Sequence, residues 1–472
     1  MAPAYVSTRG DAPRLGFVDA MLAGLARDGG LYVPETWPTL TRDEIADLAG
    51  RPYAEIAYRV IAPFVGDAIP ADALKRMIDE AYGAFRHAAV TPLTQVGANR
   101  FVLELFHGPT LAFKDVAMQL LARLMDHALA ERGLRATIVG ATSGDTGGAA
   151  IEAFRGRSRL DVFILMPDGK VSEVQRRQMT TVPDDNVHAI AIDGSFDDAQ
   201  AHVKAMFNHH AFRDRLALAG VNSINWARVL AQAVYYFAAA TALGAPAREI
   251  DVVVPTGNFG DVFAGYVAKR MGLPIRRLVI ATNVNDILAR TLETGVYEVR
   301  GVAPTTSPSM DIQVSSNFER LLFDAVGRDP ATVRAAMASL GQSGSFTLPA
   351  GALEVIRAEF DAGRADEDEV KATIRRVLET SGYLLDTHTA VAFAVAEKAE
   401  TDPGVPQVVL STAHPAKFPD AVEAASGVRP GLPAHLADLL ERPERLTRLP
   451  NDVAAIEAFV AEHARVAKTA AA

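Results

Sequence analysis

Lys114 stands in Phe106-His107-Gly108-Pro109-Thr110-Leu111-Ala112-Phe113-Lys114-Asp115, after the apolar run 101–105 and before a long amphipathic stretch that begins at Val116. A lysine at a strand-to-helix turn with apolar neighbours is an unusual use of that residue. Burial disfavours the ammonium form and lowers its pKa from the usual value of about 10.4. Such an amine can condense with a carbonyl. Gly108 and Pro109 supply the tight turn, and Leu111, Ala112 and Phe113 supply apolar walls. Taken alone, the same tripeptide is also compatible with a lysine opening an ordinary surface helix.

Three further segments run from an apolar strand through a loop of small and hydroxyl residues into a helix. Such loops meet at the carboxyl edge of a parallel sheet, where ligands bind. The first is Gly140-Ala141-Thr142-Ser143-Gly144-Asp145-Thr146-Gly147-Gly148. Its hydroxyls and bare glycine amides form a donor-rich nest for a small carboxylate or phosphate, or else an N-capped turn. The second is Pro255-Thr256-Gly257-Asn258-Phe259-Gly260-Asp261. Gly257 and Gly260 let backbone approach an anion at a helix N-terminus, so a phosphate fits; a plain glycine turn is the alternative. Neither GxxxxGK[ST] nor GxGxxG is present.

The third loop, Ser411-Thr412-Ala413-His414-Pro415-Ala416-Lys417-Phe418-Pro419, offers two hydroxyls to a bound ring. His414 precedes a proline and reads as a turn residue; neither it nor Lys417 enters the catalytic set. Arg228, in Asn222-Ser223-Ile224-Asn225-Trp226-Ala227-Arg228, can give planar bidentate donors to a phosphate or form a surface ion pair.

The elements that must position these loops follow from periodicity. Strand and helix patterns alternate from Phe101 onward, with strands near Thr137, Val162, Val187, Val252, Val279 and Val408, which predicts parallel α/β layers. Residues 1–95 show helical patterns broken at Pro34, Pro38, Pro52, Pro63 and Pro70, and predict a mainly helical amino-terminal domain. Residues 96–433 form the α/β catalytic region, and 434–472 a helical tail. The run 364–369 reads as a solvated helix start. Val229 to Leu243 is apolar but too short to cross a bilayer, and reads as a buried helix.

The chain has 472 residues, 49% of them apolar, enough for several large cores. A net charge of −10 argues against nucleic acid or an anionic membrane as partner. Without cysteine there is no disulfide, thiolate metal site or catalytic thiol, and the 11 histidines show no metal-ligand spacing, so no metal is expected. The first residues lack an apolar leader, which points to a cytoplasmic protein.

In combination, FHGPTLAFKD, ATSGDTGG, PTGNFGD and STAHPAKF, in that order, resemble threonine synthase of the longer bacterial and fungal type. Ser7-Thr8-Arg9-Gly10 and 27–34 match as well, so the resemblance runs from about Ser7 to Asp420. It implies the tryptophan-synthase-β-like fold of pyridoxal-phosphate enzymes, with a smaller sheet domain from about 114 to 243 beside the larger one. It implies that Lys114 holds pyridoxal 5'-phosphate and, once freed, moves protons. Gly257, Asn258, Phe259, Gly260 and Asp261 would hold the cofactor, its phosphate above all, and Thr412 would bond the ring nitrogen. Ser143, Gly144 and Thr146 match the loop that receives the substrate carboxylate. Asp145 sits awkwardly there, since relatives of this fold carry asparagine and a carboxylate repels ring oxygen and substrate unless it is paired or turned away.

The implied reaction converts O-phospho-L-homoserine and water into L-threonine and phosphate, with Arg228, and secondarily Arg9, receiving the substrate phosphate. Two other functions stay open: a serine/threonine dehydratase of the same fold, which needs no second phosphate site, and a homologue that keeps the cofactor without turnover. Monomer and homodimer are both compatible with the sequence.

Overall fold

The computed structural model of the protein describes residues 3–466. Its centre is a six-stranded sheet in the order Phe360–Arg364, Ile275–Thr282, Ile250–Pro255, Gln407–Ser411, Arg100–Glu104, Leu93–Gln95. All neighbours are parallel except the last pair. Strands Ile250–Pro255 and Gln407–Ser411 are buried at every position. Continuous apolar runs of that kind are what a parallel sheet covered on both faces requires.

A second, all-parallel sheet runs Thr447–Leu449, Val187–Ile192, Leu160–Pro167, Ala136–Ala141, Leu218–Ala219. The chain builds most of it between the strands Arg100–Glu104 and Ile250–Pro255 of the larger sheet. The six strands read from sequence are all present. Helix Trp226–Ala242, buried along almost its whole length, packs against helices Lys114–Glu131, Tyr53–Val65 and Gly260–Arg270. The charge run 364–369 opens helix Glu367–Ser381, where Asp366 and Glu369 form a capping box.

Two regions differ from the sequence reading. The amino-terminal part holds helices, but also a three-stranded antiparallel sheet of Ala4–Ser7, Leu15–Gly16 and Tyr32–Pro34. The carboxyl-terminal part adds the strand Thr447–Leu449 to the edge of the second sheet before its helix Val453–His463. Strands of two to four residues are shorter than any periodicity can register. No helix among the described residues is long and apolar enough to cross a membrane.

The larger sheet places the loop after Gln407–Ser411 between the loop that leads to Lys114 and the loop after Ile250–Pro255. The Asp145 loop arrives from the second sheet.

Candidate active site

Lys114 is the first residue of its helix and only 8% exposed. Its position is set by two devices. Residues 111–113 are laced to 412–414: the Phe113 amide donates to the Thr412 carbonyl at 2.8 Å, and the His414 amide to the Leu111 carbonyl at 3.0 Å. Asp115, fully buried, accepts the Thr110 amide at 2.7 Å and the Thr110 hydroxyl at 2.6 Å. A Cβ at Gly108 would lie 2.4 Å from the Asp115 Cβ, so the motif's glycine exists to admit this carboxylate. Burial, outweighing those two bonds, pushes the Asp115 pKa up to about 6.

The Lys114 amine makes no hydrogen bond to any described residue. Its neighbours are Asp145 Oδ2 at 3.7 Å and the face of Phe113, with Nζ 4.7 Å from the ring centroid. Burial lowers its pKa, Asp145 opposes that, and the charges of Arg228 and Lys417 reinforce it.

The Asp145 loop is organised by Thr142, whose hydroxyl oxygen accepts the amides of Gly144 and Gly147 at 2.9 Å. Gly144 has φ +143°, and a Cβ there would lie 2.4 Å from the Gln175 side chain. Only glycine suits that backbone and that approach. Ser143 and Thr146 are half-buried, and their hydroxyls bond no described residue. Asp145 itself is paired: Gln175 donates to its Oδ1 at 2.9 Å, and Lys417 Nζ lies 3.0 Å from the same oxygen. Burial alone would raise its pKa; Lys417 and Lys114 instead hold it well below the usual carboxylate range. Pairing removes the repulsion that made a carboxylate awkward here.

Lys417 is the site residue that sequence reasoning set aside. It is wholly buried, and its ammonium also donates to the Thr110 carbonyl at 2.6 Å and Gln178 Oε1 at 2.9 Å. His414 is a turn residue as expected, its Nδ1 accepting the Ala416 amide at 3.1 Å.

In the glycine loop after Ile250–Pro255, the amides of Gly257, Asn258 and Phe259 bond no described residue and stand ahead of helix Gly260–Arg270. Their carbonyl side is fastened: Ser315 donates to the Gly257 carbonyl at 2.6 Å, and the Asn317 amide to that of Asn258 at 3.1 Å. The Phe259 side chain packs on Phe318 and Phe360. The Asp261 carboxylate is turned to Tyr235 and Tyr236, whose hydroxyls donate to Oδ1, and burial pushes its pKa up to about 6. The side chains of both therefore belong to the core.

Arg228, 3% exposed on helix Trp226–Ala242, donates from Nη1 to the Val221 carbonyl at 3.0 Å. Its Nε has no partner, and no carboxylate among the described residues pairs with it. Burial pushes its pKa down to about 10, which leaves it charged at neutral pH. Arg9 is committed elsewhere, to Glu319 at 2.9 Å. The donor set suits pyridoxal phosphate: a buried amine with no hydrogen bond, three free amides at a helix start, and a Thr412 hydroxyl that bonds no described residue. A second anion could meet Arg228.

Comparison with known proteins agrees along the whole chain. Residues 4–82 match the family model for the threonine synthase N terminus, 85–364 that for pyridoxal-phosphate dependent enzymes, and 389–460 that for the threonine synthase C-terminal region. The threonine synthase of Pseudomonas aeruginosa is 54% identical over 460 residues, covering 97% of this chain and 98% of that protein. Among solved structures, the pyridoxal-phosphate-bound threonine synthase of Brucella melitensis superposes with a TM-score of 0.97 at 63% identity, covering 98% of this chain and 100% of that one. The yeast enzyme gives 0.93 at 40%, with 98% of each chain covered. A threonine deaminase from Solanum lycopersicum, at 0.51 and 14%, shares the fold alone; the match covers 83% of this chain and 100% of that one.

Proposed function

The chain belongs to the threonine synthase family of pyridoxal-phosphate enzymes, and from that premise we propose which residues do its work and on what substrate. The protein is a threonine synthase and a pyridoxal-phosphate-dependent lyase. The substrate is O-phospho-L-homoserine, which reacts with water to give L-threonine and phosphate in the cytoplasm. One observation carries the choice of substrate. Arg228 is a buried guanidinium without a carboxylate partner among the described residues, near enough for its charge to act on Lys114. A desolvated, unpaired arginine is unfavourable unless an anion arrives. Serine and threonine, the substrates of a dehydratase, carry no anion beyond the carboxylate that Ser143 and Thr146 would receive.

Pyridoxal phosphate, when bound, supplies the electron sink for negative charge that develops beside the substrate's amine. The Gly257, Asn258 and Phe259 amides would hold its phosphate at the positive end of helix Gly260–Arg270. Thr412 would offer a neutral hydroxyl to the ring nitrogen. Ser143 and Thr146, at the start of helix Asp145–Phe154, would receive the substrate carboxylate. Among the described residues of the site Lys114 is the amine free of hydrogen bonds, so it can take a proton at Nζ and return it. Arg228 would hold the phosphate until it leaves and keep it charged.

Phosphate release and threonine formation from O-phosphohomoserine by the purified full chain test the proposal. Rapid deamination of threonine with no turnover of O-phosphohomoserine would overturn it.

A further inference from the structure

We propose that Lys417 is the counter-charge of Asp145, and that by occupying this carboxylate it leaves Lys114 an uncharged amine. Lys417 is then a positioning residue for Lys114, acting through Asp145. The two buried lysines near Asp145 differ in what surrounds their nitrogens. Lys417 Nζ meets three acceptors, the Thr110 carbonyl at 2.6 Å, Gln178 Oε1 at 2.9 Å and Asp145 Oδ1 at 3.0 Å. The first two accept hydrogen bonds from the ammonium and the third pairs with its charge. Lys114 Nζ has none within hydrogen-bond reach, since Asp145 Oδ2 lies at 3.7 Å. A buried ammonium without a hydrogen bond is strongly disfavoured, and one with two hydrogen bonds and an ion pair is provided for.

The site also keeps Lys417 in place. Its carbonyl accepts the Ser172 hydroxyl at 3.1 Å, and Gln178 donates to the same Thr110 carbonyl at 3.0 Å. Lys417 thus joins the Lys114 loop to helix Glu173–Thr180, which also supplies Gln175 to Asp145. The charged groups facing Lys114 include Asp145, Arg228, Lys417, Asp115 and Asp261. Those facing Asp145 include both lysines and His388. With Lys417 charged and Asp145 ionised that pair is neutral, and the carboxylate nearest Lys114 no longer favours its ammonium, while Arg228 opposes it. Without Lys417, the only amine near the carboxylate is Lys114, which it would hold protonated.

The meaning of this arrangement rests on Lys114 being the cofactor-bearing amine, but its test uses no turnover. Full-length protein stripped of pyridoxal phosphate is pulsed with acetic anhydride over a range of pH, and labelling of the Lys114 peptide is read by mass spectrometry. In the wild type the labelling midpoint should lie at least about one unit below 10.4. In Lys417→Met it should rise by about one to three units, the usual effect of an unanswered opposite charge nearby. In Asp145→Asn/Lys417→Met it should return to within about half a unit of wild type, because the carboxylate nearest the amine is gone together with the lysine that answered it. A midpoint unmoved by Lys417→Met, or equally raised in the double variant, overturns the inference. Should Lys417→Met not fold, the wild-type arm still decides: Lys114 reacting only near pH 10, as a free lysine does, is incompatible with it.

Discussion

The loop 141–147 of the smaller sheet is governed by side chains, whereas the loop 255–261 of the larger sheet is governed by backbone. In the first, Gln175 fills the space where a Gly144 Cβ would stand, and Lys417 and Gln175 hold Asp145. In the second, a Gly257 Cβ would lie 2.7 Å from the Ser309 carbonyl oxygen, and Ser315 and Asn317 fasten the carbonyls. The first loop is held through a charged side chain of its own, whereas the second is gripped at its own backbone, by the Ser315 hydroxyl and by Asn317, without charge. The first loop suits a group that enters, reacts and leaves, and the second a phosphate that stays. Lys114 lies at the meeting of the two, laced to the Thr412 loop and facing Asp145.

The variant that most severely tests this division is Lys114→Ala. If the amine moves protons and bears the cofactor, formation of threonine should fall at least about a thousandfold while the fold persists. Borohydride should no longer fix pyridoxal phosphate to the chain. Retained reducible cofactor on another lysine would move the reaction centre away from the meeting point of the two loops.

Arg228→Ala comes next. Loss of a charge-assisted bond to the substrate phosphate costs about 1.5 to 3 kcal/mol, or roughly tenfold to a few hundredfold in kcat/KM for O-phosphohomoserine. Arg228→Lys keeps the charge without the fork and should fall between. Any slow deamination of serine or threonine should hardly change. Equal losses on both kinds of substrate would show Arg228 to be a support of helix Trp226–Ala242 rather than part of the mobile-ligand side.

What could be read in the sequence follows the same division. Lys114 and the three loops announce themselves locally, through glycine, proline and hydroxyl residues at fixed places after apolar strands. So does the helix at 226–242, through its unbroken apolar run. Lys417 could not be recognised, because a lysine's full burial is a fact of tertiary structure: its acceptors Thr110, Gln178 and Asp145 come from three distant segments. The pairing that resolves Asp145 was hidden for the same reason. Phe259 and Asp261 stand inside a loop motif, yet their side chains answer to Phe318, Phe360, Tyr235 and Tyr236. The strand Thr447–Leu449 is set by its register on Ile190–Ile192, which three residues with an exposed Arg448 cannot signal.

The smallest effects give the sharpest view of the backbone-held loop. Sequence reasoning gave Gly257 and Gly260 one task, room for a phosphate. The structure separates them. A Cβ at 257 meets backbone, 2.7 Å from the Ser309 oxygen and 3.4 Å from the Met310 Cα, neither of which can turn aside. Gly257→Ala should therefore displace the loop at a cost of about 1 to 3 kcal/mol, seen as a roughly tenfold or greater rise in the cofactor's dissociation constant. A Cβ at 260 meets the end of the Asn317 side chain at 3.4 Å and the Ser223 carbonyl oxygen at 3.7 Å, an ordinary van der Waals contact, and Gly260 begins a helix. Alanine there recovers about 0.5 to 1 kcal/mol of backbone entropy. Cofactor affinity in Gly260→Ala should stay within about threefold of wild type, and Tm should hold or rise slightly. If Gly260→Ala instead releases pyridoxal phosphate as readily as Gly257→Ala, glycine at 260 makes room for the ligand, and the loop is shaped by its phosphate as much as by Ser309.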